Sequence, residues 1–228
     1  MNASALLHLL QFASPALPIG GYSYSQGLET AIERGLVVDA ASARAWIAGY
    51  LAQVLARWDA PLLWRLLKAF ARNDMAAVAL WSERAIASRD CAELRAEAIQ
   101  MGYSLTRLLA ELDIGDVTRL ANQANQANQD VALPTAFACA VDALGIDHRD
   151  ALLASLFSWV ENQVLVCVKS VPLGQVAGQR LLLSLAPDIE AAAASGEALG
   201  DDDMSNWAPG LSMLSMQHEV QHGRLYRS

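Results

Sequence analysis

Residues 40–58 read AASARAWIAGYLAQVLARW, and their apolar side chains recur at steps of three and four. Trp46, Ile47, Tyr50, Leu51, Val54, Leu55 and Trp58 fall on one stripe of a helix with 3.6 residues per turn. The same period continues on both sides. Asp59-Ala60-Pro61 reads as a new helix start, because proline lacks the N–H that a first turn leaves unused. Leu62, Leu63, Leu66, Leu67 and Phe70 then carry the stripe forward, and Asn73-Asp74 restarts a helix that runs to about Ala87. Asp90, with Glu93 three positions on, has capping-box spacing. The helix behind it shows Leu94, Ala98, Met101, Leu105, Leu108 and Leu112, close to a heptad repeat. Upstream, residues 4–12 form a short apolar helix stopped by Ser14-Pro15. Residues 25–34 form a second, ended by Gly35 as a left-handed residue. Downstream, residues 135–144 form a small-residue helix ended by Gly145. Asp147 or Asp150 caps a long helix to Lys169, residues 171–174 break it, and residues 175–185 resume. No stretch sustains the period-two alternation of a strand, and β-branched residues 164–168 continue a helical pattern. The expected fold is all-α: one helical domain over residues 1–210, with nine or ten helices, and a flexible C-terminal tail over 211–228.

Composition narrows the function classes. Of 228 residues, 54% are hydrophobic and 18% charged, more apolar than one core of this size requires. The excess points to protein interfaces and to a homodimer, with the near-heptad stripe as the contact. A net charge of −8 argues against nucleic acid and against an anionic membrane surface. Cys91, Cys139 and Cys167 are far apart, odd in number and set among apolar residues, which reads as reduced core thiols in a cytoplasmic protein. The first eighteen residues lack the basic start and long apolar run of a signal peptide. Residues 151–168 come nearest to a membrane span, but Glu161, Asn162 and Gln163 interrupt them, so a buried helix is expected.

Two stretches lack anchors. Residues 121–129 read ANQANQANQ, either a polar helix or a loose linker. Residues 187–209 run from alanine-rich sequence through Asp201-Asp202-Asp203 to proline, and are expected to be exposed and partly disordered. The tail beyond them is rich in Met, His and Arg.

Four constellations bear on chemistry. His218-Glu219-Val220-Gln221-His222 matches the H-E-x-x-H spacing that places two imidazoles one helical turn apart for zinc. Only six residues follow, none of them Asp, Glu, His or Cys, so a third ligand must come from tertiary folding. A zinc metallohydrolase is therefore the alternative reading. The turn PIGGYSYSQG at residues 18–27 is no phosphate-binding loop, since no GxxxxGK[ST] occurs and no strand precedes it. Ser23 or Ser25 can cap the following helix, while Gly20-Gly21 supply positive φ. Capping leaves Tyr22 and Tyr24 unexplained. Lys169 ends a nearly charge-free helix, where a cation complements the helix dipole, and Pro172 and Gly174 set a bend behind it. Arg224 and Arg227 flank Leu225-Tyr226 as an anchoring tail does.

Three of these segments together resemble a known family. LLQFASPALPIGGYSYSQGLETAIERGLV (residues 9–37), VKSVPLGQVAGQRLL (168–182) and HEVQHGRLYRS (218–228) look like the three motifs of the UreF urease accessory proteins, in the same order. The departure is mild: Tyr226 stands where phenylalanine is common. The resemblance implies an all-α, dimeric, cytoplasmic protein with no enzymatic activity of its own and neither cofactor nor resident metal. It implies a scaffold between a UreD- or UreH-type protein and the UreG-type GTPase, which together deliver nickel to the urease apoprotein, with modulation of the GTPase as a further expected role. Carried over, the partner-binding positions are Pro18, Gly20, Tyr22, Ser25, Gly27 and Glu29; Lys169, Pro172, Gly174 and Gln175; and Glu219, Arg224 and Arg227. Leu28, His218, Leu225 and Ser228 belong to the same motifs. On this reading the glycine turn shapes a docking surface.

Overall fold

The stripe at residues 40–58 does not stop at Asp59. In the computed structural model, which describes residues 2–126 and 130–228, α3 (Ala40–Tyr50) passes without a break into a π-helical stretch (Leu51–Asp59) and then α4 (Ala60–Ala71). Pro61 is the cause. Inside an α-helix its ring collides with the carbonyl four residues back and it has no N–H to give. The wider π register relieves both problems. It also frees the carbonyls of Ala56 and Arg57, which are satisfied from outside: Ser195 Oγ donates to Ala56 O at 3.2 Å and Ser205 N to Arg57 O at 3.1 Å. The expected helix start at Asp59 is thus corrected to a register change inside one long rod.

The remaining helices are α1 (Ala3–Phe12), α2 (Leu28–Glu33), α5 (Met75–Ala87), α6 (Ala92–Glu111), α7 (Val117–Gln126), α8 (Leu133–Ala143), α9 (His148–Ser170), α10 (Gln175–Ser184), α11 (Ala186–Ala198) and α12 (Pro209–His218). No strand occurs among the described residues. The described residues hold twelve α-helices, of which α3 and α4 run on as one rod through the π stretch, while α10 and α11 meet at the turn residue Leu185. Local sequence explains most of the boundaries. Asn2, Asp39, Asp74 and Asp147 cap α1, α3, α5 and α9 with side-chain oxygens, and Gly35 and Gly145 (φ 72 and 61) follow α2 and α8. The cap of α6 is Cys91 rather than Asp90, which instead accepts from Ser212 Oγ.

α4 lies at the centre, against α5, α8, α9, α11 and the π stretch. α9 is long and apolar enough to cross a membrane, but it packs on α1, α2, α3, α4, α10 and α11 and buries Leu152, Leu156, Val160 and Val164. α6 packs on α8 and buries Ala98, Met101, Leu105 and Leu109, whereas Leu112 is exposed. Half of the near-heptad stripe, Ala98, Met101 and Leu105, is therefore spent inside the chain, while Leu94 and Leu108 are half-buried. The three cysteines are free and buried. Burial pushes Cys139 up to about 11 and Cys167 up to about 12, which makes them inert thiols.

Residues 187–209, expected to be exposed and partly disordered, are held. α11 buries Ile189, Ala192, Ala193 and Gly196 against the π stretch and α4. A Cβ on Gly196 would lie 2.7 Å from Ala60 Cβ, so only glycine lets the two backbones approach this closely. Arg65 pairs with Asp201 and donates to Leu199 O at 2.7 Å. The first part of the ANQ repeat is helical, ending α7, and residues 127–129 lie outside the described residues. The stretch expected to be a flexible tail is docked: the 210/211 division falls within α12, and His218, Tyr226 and Ser228 are buried. Its apolar content is low, as the sequence indicates, and polar anchors hold it instead.

Candidate functional site

Glu29 organises the site from the first turn of α2. Gly27 (φ 82) turns the chain into that helix, and a Cβ there would lie 2.9 Å from Ser215 Oγ, so both backbone and space require glycine. The Glu29 carboxylate is only 6% exposed. Its Oε1 accepts from Leu225 N at 2.7 Å, and its Oε2 from Tyr226 N at 3.1 Å. Oε2 also lies 3.0 Å from His218 Nε2, and the other ring nitrogen, Nδ1, lies 2.7 Å from Glu93 Oε2. His218 thus bridges the two acids, one ring nitrogen to each. Arg224 pairs with the second Glu93 oxygen, and Glu219 Oε1 accepts from Ala92 N at 2.9 Å, setting a carboxylate on the positive end of α6.

A second set of bonds lies beside the first. The main-chain oxygen of Ser228 accepts from Ser25 N at 2.7 Å, from Gln26 N at 3.0 Å and from Ser25 Oγ. Ser228 Oγ donates to Glu97 Oε2 at 2.9 Å, and Gln26 Nε2 donates to Glu97 Oε1 at 2.6 Å. Trp159 Nε1 holds Gln26 from α9 at 2.6 Å, and Asn162 Nδ2 donates to Tyr24 O at 2.8 Å. Arg227 N donates to Ser23 O at 2.8 Å. Burial pushes the Glu97 carboxyl up to about 7, against the lowering effect of the Gln26 and Ser228 hydrogen bonds.

The structure therefore brings the first and third of the three sequence segments together. Ser25, Gly27 and Glu29 form the socket. Glu219, Arg224 and the backbone of Arg227 are held in it or along its edge. Lys169 joins from α9, exposed, with its Nζ 5.9 Å from the Tyr226 ring centroid. Gly20 (φ 83) and exposed Pro18 shape the approach, and Tyr22 stands 60% exposed while Tyr24 is buried, its hydroxyl donating to Gln100 Oε1 at 2.9 Å. Leu225 is 74% exposed between two held backbone groups. Pro172, Gly174 and Gln175 lie outside the network, exposed at the α9–α10 bend.

The zinc reading is corrected by the same geometry. α12 ends at His218, so H-E-x-x-H does not lie on a helix and the two histidines do not share a face. His218 is buried between two glutamates, while His222 is exposed. Glu97, Gln26 and Trp159 have no role in the sequence reading, and Glu93 enters it only as a helix-capping residue. The available signal was a charge at Glu97 inside the apolar stripe of α6, with Glu93 one turn before it.

The sequence profile of the UreF family matches residues 37–186. The chain is 62% identical over 228 residues, all of both chains, to the urease accessory protein UreF of Janthinobacterium sp. (strain Marseille). It is 59% identical over 224 residues, 98% of each chain, to that of Nitrosospira multiformis. It is 49% identical over 228 residues to that of Azoarcus sp., covering 98% of this chain and 95% of the other. The chain belongs to the UreF family. Residues 25–29 and 218–228 lie outside the stretch matched by the UreF profile, while Glu93, Glu97 and Trp159 lie within it; all of them fall within the full-length similarity to these UreF relatives.

Proposed function

We propose that this chain is a non-catalytic, cytoplasmic scaffold of urease maturation. It acts as a homodimer, linking a UreD- or UreH-type protein to the UreG-type GTPase so that nickel, the cargo, reaches the urease apoprotein. The supporting observation is the clasp: buried acids fix the backbone around Leu225 and Arg227, while Tyr22, Lys169, Leu225 and Arg227 stay exposed on it. Rigid support beneath exposed aromatic, aliphatic and cationic side chains is how binding hot spots are built. Lys169 and Arg227 are also cations able to meet a nucleotide phosphate, should the scaffold modulate the GTPase. Affinity purification from cells expressing the urease operon, with the native chain and with Lys169→Ala and Leu225→Asp, tests the proposal. Loss of the UreD-type protein or of the GTPase from stably folded variants is expected. Full recovery of both, with full urease activation, overturns it.

A further inference from the structure

A second surface shares no residue with the clasp. α1, α9 and α11 enclose a groove of about 530 Å³ with an apolar floor that includes Leu10, Phe157 and Ile189. Phe157 is 43% exposed, and Leu6 and Leu7 continue the apolar face of α1 beyond the groove. Its rim carries Asp150, Glu161 and Glu190, and no basic residue lines it. Among the described residues, none of the three rim carboxylates has a cation partner, whereas Asp188 and Glu197, also on α11, pair with Arg44 and Arg149. Burial pushes the Glu161 carboxyl above its ordinary range with no charge nearby to oppose it.

We propose that this groove docks an amphipathic, basic-ended helix of a partner protein. A groove between packed helices accepts a third helix by ridges-into-grooves packing. The charge pattern sets the register. Asp150 and Glu161 lie eleven residues apart on one face of α9, roughly 16 Å along the helix axis. A partner helix with Lys or Arg about eleven residues apart, and leucine-like side chains between, meets both. An anionic membrane is disfavoured by the acidic rim and the net charge of −8. A second copy of this chain in a two-fold contact brings the acidic rims towards each other, which costs free energy.

The test uses the full chain and a fluorescein-labelled helical peptide of about eighteen residues, with a leucine stripe and lysines eleven apart. A second peptide carries glutamates in place of the lysines. At low salt the lysine peptide is expected to bind at least tenfold more tightly than the glutamate peptide, with the preference shrinking as salt rises. Phe157→Asp should weaken binding at least tenfold, and Glu161→Lys should shift the preference toward the glutamate peptide. Thermal melting checks that both variants fold, and if Phe157→Asp does not, Glu161→Lys carries the test. Equal binding of the two peptides, or binding unaffected by Glu161→Lys, overturns the proposal. So does light scattering that shows Phe157→Asp turning a dimer into a monomer, which assigns the groove to a second copy.

Discussion

Residues 56–61 meet α11 through methyl groups, a glycine and a hydroxyl hydrogen bond from Ser195; residues 25–29 meet residues 218–228 through carboxylates, amides and an imidazole. Both joints tie together parts of the chain that are far apart in sequence. The first resists perturbation in proportion to volume, because dispersion and burial are summed over many small contacts. The second fails in larger steps. Removing one member leaves a desolvated donor or charge without a partner, which costs more than the lost bond is worth. The chain therefore has a joint suited to bulk stability and one that is sensitive to single groups.

Glu29→Ala should give the largest effect, since it orphans the Leu225 and Tyr226 amides and leaves His218 with one acid. A loss of about 3–5 kcal/mol in urea unfolding is expected, and deletion of residues 219–228 should likewise lower the thermal midpoint. A midpoint unchanged by that deletion would show the clasp to be decorative.

Glu97 sharpens the contrast through pH. Its folded pKa of about 7 lies above the ordinary 4.5, so the folded state holds a proton that the unfolded state releases. Stability contributed by this group is fully present below pH 4.5 and is lost as pH rises through 7, amounting to about 3 kcal/mol. Urea melts from pH 4.5 to 8 should show this slope, and Glu97→Gln should flatten it.

Gly196→Ala probes the apolar joint. With Ala60 Cβ at 2.7 Å and its carbonyl carbon at 3.0 Å, the added methyl must push α11 off the rod, at about 1–3 kcal/mol. A neutral result in calorimetry would mean that the joint yields easily. Smaller is Lys169→Ala, which loses a contact with the Tyr226 face worth about 0.5–1 kcal/mol at an exposed site. Tyr22→Ala should stay within about 0.5 kcal/mol. If either variant nonetheless abolishes urease activation in cells while melting normally, its role lies in the partner.

The same contrast explains what was legible in the sequence. Period, caps and terminating glycines reveal α3, α5, α8 and α9 because those signals are local. The π stretch was not legible, since Pro61 inside a helix is tolerated only where Ser195 and Ser205 take the freed carbonyls, more than a hundred residues away. The docking of residues 211–228 was missed for a related reason. Counting apolar residues judges whether a segment folds alone, and it misses a segment held by buried acids contributed by α2 and α6. The motif residues were visible as motifs, but their partners Glu93 and Glu97 looked like ordinary helix charges.

The bond between Ser25 and Ser228 spans 203 positions of the chain. Contacts of such separation form late, after the loop between them has been closed by other structure. On a ribosome, Ser25 and Glu29 emerge long before the segment that completes them. A nascent or prematurely terminated chain can fold its helical body and still present an unfinished socket. The socket on residues 25–29 is therefore complete only once residues 218–228 have folded back onto it.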